Sequence, residues 1–336
     1  MKSKVWCVLL TAILVVAFCP TITTVAYAQD LQVYLGGEPI GIGLAESGLI
    51  VTGLVDVITD EGTACPSRGT DILTGDVILS VNDEPIEGIG DFAKKIQNAE
   101  GNIVTLSVKR GNSVHSVTLA PVTDVLTGLK KLGLTLKSGI NGIGTLTFVT
   151  EDGKFGALGH GIVDADTGKP FLTDKGSVYS CRINGYKKPT NGVAGELSGT
   201  FIDRNHPIGS ISKCNEFGVY GRMDKEITAD KISVAPAKEV KTGKAHIYTT
   251  IEGDSPKAYS IEIIKSANQR KSKEKSLLIR VTDEALLSQT GGILQGMSGS
   301  PIVQDGKLIG AVTHVLVNDS TLGYGLYIDW MLENIA

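Results

Sequence analysis

The sequence predicts a mainly β protein built of two globular parts, and three observations carry that expectation. Aromatic residues make up only 5% of the chain while glycine occurs 41 times in 336 residues, so tight turns are favoured over long helices. Short stretches that alternate apolar and polar residues recur along the chain, as half-buried strands do. Hydrophobic residues reach 42% against 20% charged, enough for packed cores at a length that suits about two domains. The formal charge of −4 gives no electrostatic footprint for nucleic acid.

Residues 1–28 read as an export segment. Lys2 and Lys4 precede an apolar run from Val5 to Phe18, and Ala26-Tyr27-Ala28 has the small-x-small pattern of a signal-peptidase site. Uncleaved, the run would serve as a marginal membrane anchor. The chain is therefore expected to leave the cytoplasm. Cys7 and Cys19 go with the leader, leaving Cys65, Cys181 and Cys214, of which Cys181–Cys214 is the pair worth testing as a disulfide. No Cys/His spacing suits zinc and no His-Glu-x-x-His occurs. Neither a metal nor another cofactor is expected.

Residues 29–122 form the first part. A strand is expected over Gly48 to Val57, and another over Asp76 to Asn82, entered by Leu73-Thr74-Gly75. Phe92, Ile96 and Ala99 fall on one face of a helix from Asp91, which is a reasonable N-cap. Ile103 to Lys109 and Val114 to Leu119 pair across a turn at Arg110-Gly111-Asn112-Ser113. The run from Leu73 through Gly75-Asp76, Ile78, Val81-Asn82 to Ile86 resembles the core of a bacterial protease-associated PDZ domain, a β-rich fold with one or two helices. The resemblance implies capture of an extended peptide by strand addition. It sets the peptide-binding loop at Ile40, Gly41, Ile42, Gly43 and Leu44, where glycines could expose backbone amides to a carboxylate.

Residues 123–336 form a second, glycine-rich β part. Ile143 to Thr150 and Lys154 to Leu158 pair across Glu151-Asp152-Gly153. Further short strands are expected around 176–184, 195–202, 218–222, 244–250, 259–264 and 277–281, a spacing that suggests a barrel or sandwich. The basic stretch Lys265 to Lys275 reads as a solvated hairpin loop.

Two segments here carry chemistry. His160 stands between Gly159 and Gly161 at the end of an apolar strand. Gly296-Met297-Ser298-Gly299-Ser300-Pro301 precedes an apolar hairpin, the layout of the nucleophile turn in chymotrypsin-like peptidases. Flanking glycines let a serine hydroxyl stand clear on a tight turn. The amides of Gly296 and Ser298 can then face the oxyanion of a tetrahedral intermediate. Ser298 needs a base, and His160 is the candidate in chain order. Ser300 is the rival serine, and Met297 replaces the aspartate that trypsin-like enzymes pair with a new N-terminus.

The order of export segment, PDZ domain, Gly159-His160-Gly161-Ile162 and then Gly291-Gly292-Ile293-Leu294-Gln295-Gly296-Met297-Ser298 resembles the stage IV sporulation protein B peptidase family. Val281-Thr282-Asp283, Ala311 to Val315, Gly323-Tyr324-Gly325 and Trp330-Met331-Leu332 extend the match. The resemblance implies a chymotrypsin-like barrel and a serine endopeptidase that cuts itself. It also implies a second substrate, a membrane-bound regulator of an intramembrane metalloprotease, cut in the space between forespore and mother-cell membranes during sporulation. It assigns the catalytic acid to Asp283, whereas barrel order favours Asp203, and both stay open at this point. Asp164 and Asp166 suit local turn roles. His314 is a candidate wall of the substrate side-chain pocket. The competing reading is an inactive PDZ scaffold that tethers a membrane partner.

Overall fold

The computed structural model describes residues 31–224, 228–269 and 271–335. The export segment expected at residues 1–28 lies outside them. The chain is mainly β, with three helices of five or more residues among the described residues.

Two closed antiparallel barrels of six strands each dominate the fold. The first barrel runs Pro39–Leu54, Leu134–Val149, Lys154–Ala157, Gly218–Met223, Gly209–Asn215 and Gly176–Lys187, which returns to Pro39–Leu54. The second runs Gly243–Thr249, Lys257–Ser266, Leu277–Val281, Asp319–Tyr327, Lys307–Leu316 and Pro301–Gln304, which returns to Gly243–Thr249. Closure removes unpaired edges and turns alternate side chains into one interior per barrel. Ile40, Ile42, Phe155, Val178 and Val219 fill the first interior. Ile247, Ile261, Ile279, Ile302 and Val312 fill the second.

The PDZ part has its own core, in which helix Ile89–Asn98 sets Phe92 and Ile96 against Leu49, Ile78 and Leu106. The helix starts earlier than expected, with Gly88 at the N-cap. Asp91 sits within the first turn and accepts from the Glu87 amide at 3.1 Å. The motif aspartate Asp76 is fully buried, held by two 2.8 Å bonds from the Arg110 guanidinium and one from the Leu73 amide. Burial pushes its carboxyl up, but these three donors outweigh it and hold the group below the usual carboxylate range.

Two long strands run between the PDZ part and the first barrel. Pro39–Leu54 and Leu134–Val149, 16 residues each, pair along nearly their whole length. Their Leu49–Leu54 and Leu134–Leu136 ends pack on the PDZ core, and their other ends are barrel staves. This corrects the peptide-binding loop expected at Ile40–Leu44. These residues are strand, paired with 140–144 on one side and 176–180 on the other, so their amides are spent. A Cβ on Gly41 would lie 2.7 Å from the Phe201 ring and one on Gly43 3.1 Å from Tyr179. The glycines thus make room for a stacked pair of rings 5.5 Å apart rather than for an anion. Cys65, Cys181 and Cys214 are free thiols.

Candidate active site

His160 and Ser298 reach the seam between the barrels from opposite sides. The strand Lys154–Ala157 ends in two consecutive left-handed residues, Leu158 and Gly159, both at φ 70°. Leu158 accepts that unfavourable backbone because its side chain is buried in the first barrel. The reversal brings His160 to a cavity of about 480 Å³ that Gly296 and Ser298 also line.

On the other side, helix Glu284–Thr290 ends at Gly291 in the left-handed conformation, and the chain enters the 296–300 turn. Gly296 and Gly299 take φ of 96° and 97°, which a side chain would resist. A Cβ on Gly299 would also lie 2.1 Å from the Thr145 carbonyl and 2.5 Å from the Leu158 amide. Ser300 is buried, and its amide (3.0 Å) and hydroxyl (2.6 Å) both donate to the Met297 carbonyl. Its role is to close the turn. Met297 is buried in the second core, so only Ser298 of the two serines faces the cavity.

The first barrel grips this turn directly. The Thr145 amide donates to the Ser298 carbonyl at 3.1 Å, its hydroxyl to Gly296 at 2.8 Å, and the Thr147 hydroxyl to Gly299 at 2.7 Å. Sequence reasoning missed both threonines. The available signal was a pair of polar residues two apart in an apolar strand, which bury 98% and 100% of their surface.

The amides of Met297, Gly299 and Ser300 donate to carbonyls of Leu294, Val312 and Met297. Those of Gly296 and Ser298 donate to no carbonyl among the described residues. Two uncommitted N–H groups therefore flank the serine. The Ser298 hydroxyl donates to the Thr313 carbonyl at 2.6 Å. That carbonyl is freed by a bulge: pairing of Lys307–Leu316 with its neighbour jumps from Val312–Gly325 to Val315–Gly323. The extra residue re-aims His314, whose ring lies 4.8 Å from that of His160 at 38°.

His160 Nδ1 lies 2.7 Å from the Gly161 carbonyl. A carbonyl only accepts, so Nδ1 carries the proton and Nε2 keeps its lone pair. Burial lowers the His160 pKa; the Gly161 carbonyl and the Glu274 carboxylate pull it up without outweighing burial. Burial also lowers His314, to about 4, and the neighbouring His160 and Lys275 act in the same direction. Both rings are neutral at pH 7. Glu274 belongs to the basic loop, whose end meets the site: its carbonyl accepts from the Thr313 hydroxyl at 3.4 Å.

Neither aspartate holds His160 in this arrangement. Asp283 caps the helix before the turn, one oxygen accepting from Leu286 N at 3.0 Å and the other from Ser260 N at 3.2 Å. Asp203 is bound within its own exposed turn by the Asn205 amide and His206. Asp164 likewise accepts from the amides of Asp166 and Thr167 in the turn after His160.

Residues 128–332, which contain both His160 and Ser298, match the SpoIVB peptidase S55 family. The chain belongs to that family. Residues 40–120 match a PDZ domain, so the molecule is a PDZ-containing peptidase that acts on protein or peptide substrates. No curated protein matches the chain by sequence. Among solved structures, the active form of the Rv3671c protease from M. tuberculosis is 15% identical with a TM-score of 0.36, over 59% of this chain and 75% of that one. Its inactive form is 14% identical with a TM-score of 0.33, over 58% and 84%.

Proposed function

We propose that this S55 peptidase is a serine endopeptidase in which Ser298 is the nucleophile, His160 the general base, and the Gly296 and Ser298 amides the oxyanion hole. The observation that carries the reading is the convergence on one cavity of a serine hydroxyl, a neutral imidazole and two uncommitted amides. Rotation of the Ser298 hydroxyl from the Thr313 carbonyl to His160 Nε2 would ready it for attack. Nε2 takes the proton as Oγ bonds to the scissile carbonyl carbon, and the oxyanion meets the two N–H groups. The protonated imidazole then gives its proton to the leaving amine, and water repeats the sequence on the acyl-enzyme.

The Gly161 carbonyl already fixes the His160 tautomer, one of the tasks an aspartate performs elsewhere. Asp283 is then assigned to the helix cap that supports the turn. Following the family resemblance, the substrates are the chain itself and a membrane-bound regulator cut during sporulation, outside the cytoplasm.

Incubation of the purified chain beside Ser298→Ala tests the reading. The expected outcome is fragments from the wild type alone, together with Ser298-dependent labelling by a fluorophosphonate. Equal behaviour of the two proteins in both assays would favour the scaffold.

A further inference from the structure

The cavity beside Ser298 is large enough for more than the reacting groups, and its lining is chemically one-sided. Not one of the side chains lining its roughly 480 Å³ is an aspartate, glutamate, lysine or arginine. Ile42, Leu158, Leu294 and Val315 contribute aliphatic wall. The same character continues to the mouth, where Val163 and Val317 remain 61% and 47% exposed. Exposed apolar side chains at the rim of a cleft that holds reacting groups are what a substrate covers. Charge begins only in an adjoining cavity, which shares Asn141 to Ile143, Gln295 and Gly296 with the first and carries Glu196 and Arg204 beyond them.

We propose that the cavity takes an aliphatic substrate side chain next to the scissile bond, so that cleavage occurs beside valine, leucine, isoleucine or methionine and not beside charged residues. The proposal rests on Ser298 being the nucleophile. An aliphatic side chain trades water for Ile42, Leu158 and Val315, whereas a charged one would lose its hydration against a lining that holds no opposite charge, with Glu274 and Lys275 acting only from behind His160 and His314. His314 fits the same scheme. Its ring forms part of the wall yet stays uncharged at neutral pH, and its buried Nδ1 has no hydrogen-bond partner among the described residues. A pocket of this kind discriminates by size as well as charge, since each methylene counts for about tenfold or more in kcat/KM.

The test is digestion of a complex peptide library by the full chain, with new N-termini mapped by mass spectrometry and Ser298→Ala as the blank. Serine labelling by a fluorophosphonate is read in parallel. Aliphatic residues on one fixed side of the Ser298-dependent cuts are expected, with leucine at least about tenfold better than alanine in matched peptides. Val317→Glu, a change at an exposed rim position, should lower kcat/KM for the leucine peptide about tenfold and raise acceptance of lysine there. Labelled, active enzyme that cuts beside lysine, arginine, aspartate or glutamate, or shows no side-chain preference, would overturn the pocket assignment and leave the serine mechanism standing. Absence of both labelling and Ser298-dependent cuts would overturn the serine mechanism, and the pocket assignment with it.

Discussion

The two neutral histidines at the seam set how the protein responds to acid. His314 titrates near pH 4 in the folded chain against an ordinary value of 6.5. Between those values the unfolded chain binds a proton that the folded chain refuses, so stability falls as pH drops through 6.5 and the loss is complete below 4. Once partial exposure discounts the shift, the cost at pH 5 is about 1 kcal/mol. The wild type is expected to lose more thermal stability between pH 7 and pH 5 than His314→Gln does. Equal slopes in a thermal-melt series would show that His314 titrates normally. His160 is depressed in the same direction, so its ring stays neutral into mildly acidic solution and would remain available as the proposed base. The acid limb of kcat/KM is therefore expected below pH 6.5.

At the scale of elements, the Ser298 turn is supported by a helix on one side and by the other barrel's threonines on the other. The helix depends on Asp283, whose carboxylate satisfies two backbone amides. Asparagine keeps the cap on Leu286 about as well as aspartate and gives up the bond from Ser260, which its amide nitrogen cannot accept, whereas alanine loses both and costs about 1 kcal/mol at the cap alone. Asp283→Ala is therefore expected to lower stability and kcat/KM together, and Asp283→Asn to keep activity within about threefold. Asparagine cannot stabilise an imidazolium by charge, so inactivity of a well-folded Asp283→Asn would return the residue to the catalytic acid role. Gly299→Ala probes the turn more severely. Its added Cβ would strike the Thr145 carbonyl in a backbone conformation that already favours glycine. A loss of at least about 2 kcal/mol in denaturant unfolding is expected, with activity reduced at least a hundredfold.

The whole molecule is tied together by the two 16-residue strands that serve both the PDZ part and the first barrel. Such sharing is expected to make the parts unfold as one unit. Trp330 is the sole tryptophan of the described residues and lies at the far end of the chain, where its indole donates to Gln269. Arg110→Met removes the partner of buried Asp76 in the PDZ core, a change expected to destabilise the folded chain because that carboxylate loses two of its donors. Trp330 fluorescence should follow that loss, with a single urea transition at a lower midpoint. A Trp330 transition that stays at the wild-type midpoint would mean that the PDZ part unfolds alone.

Local pattern determined much of this protein from the sequence. Strand-period alternation located most of the staves, and the glycine-flanked Ser298 and His160 marked the two side chains that meet at the seam cavity, because a turn with positive φ around a serine is written in adjacent residues. The PDZ helix and the hairpin at 104–119 were legible for the same reason. Pairing partners were decided only by the tertiary structure. Ile40–Leu44 has the composition of an anion-binding loop, yet two neighbouring strands claim its amides, and only chain segments at 140–144 and 176–180 reveal that. Asp283 has the sequence position of a catalytic acid, yet its oxygens are taken by the helix that follows it and by Ser260. Thr145 and Thr147 grip a turn 151 and 152 residues away. A hydrogen bond depends on which atoms come within about 3 Å, and chain closure on that scale is set by the folding of both barrels together.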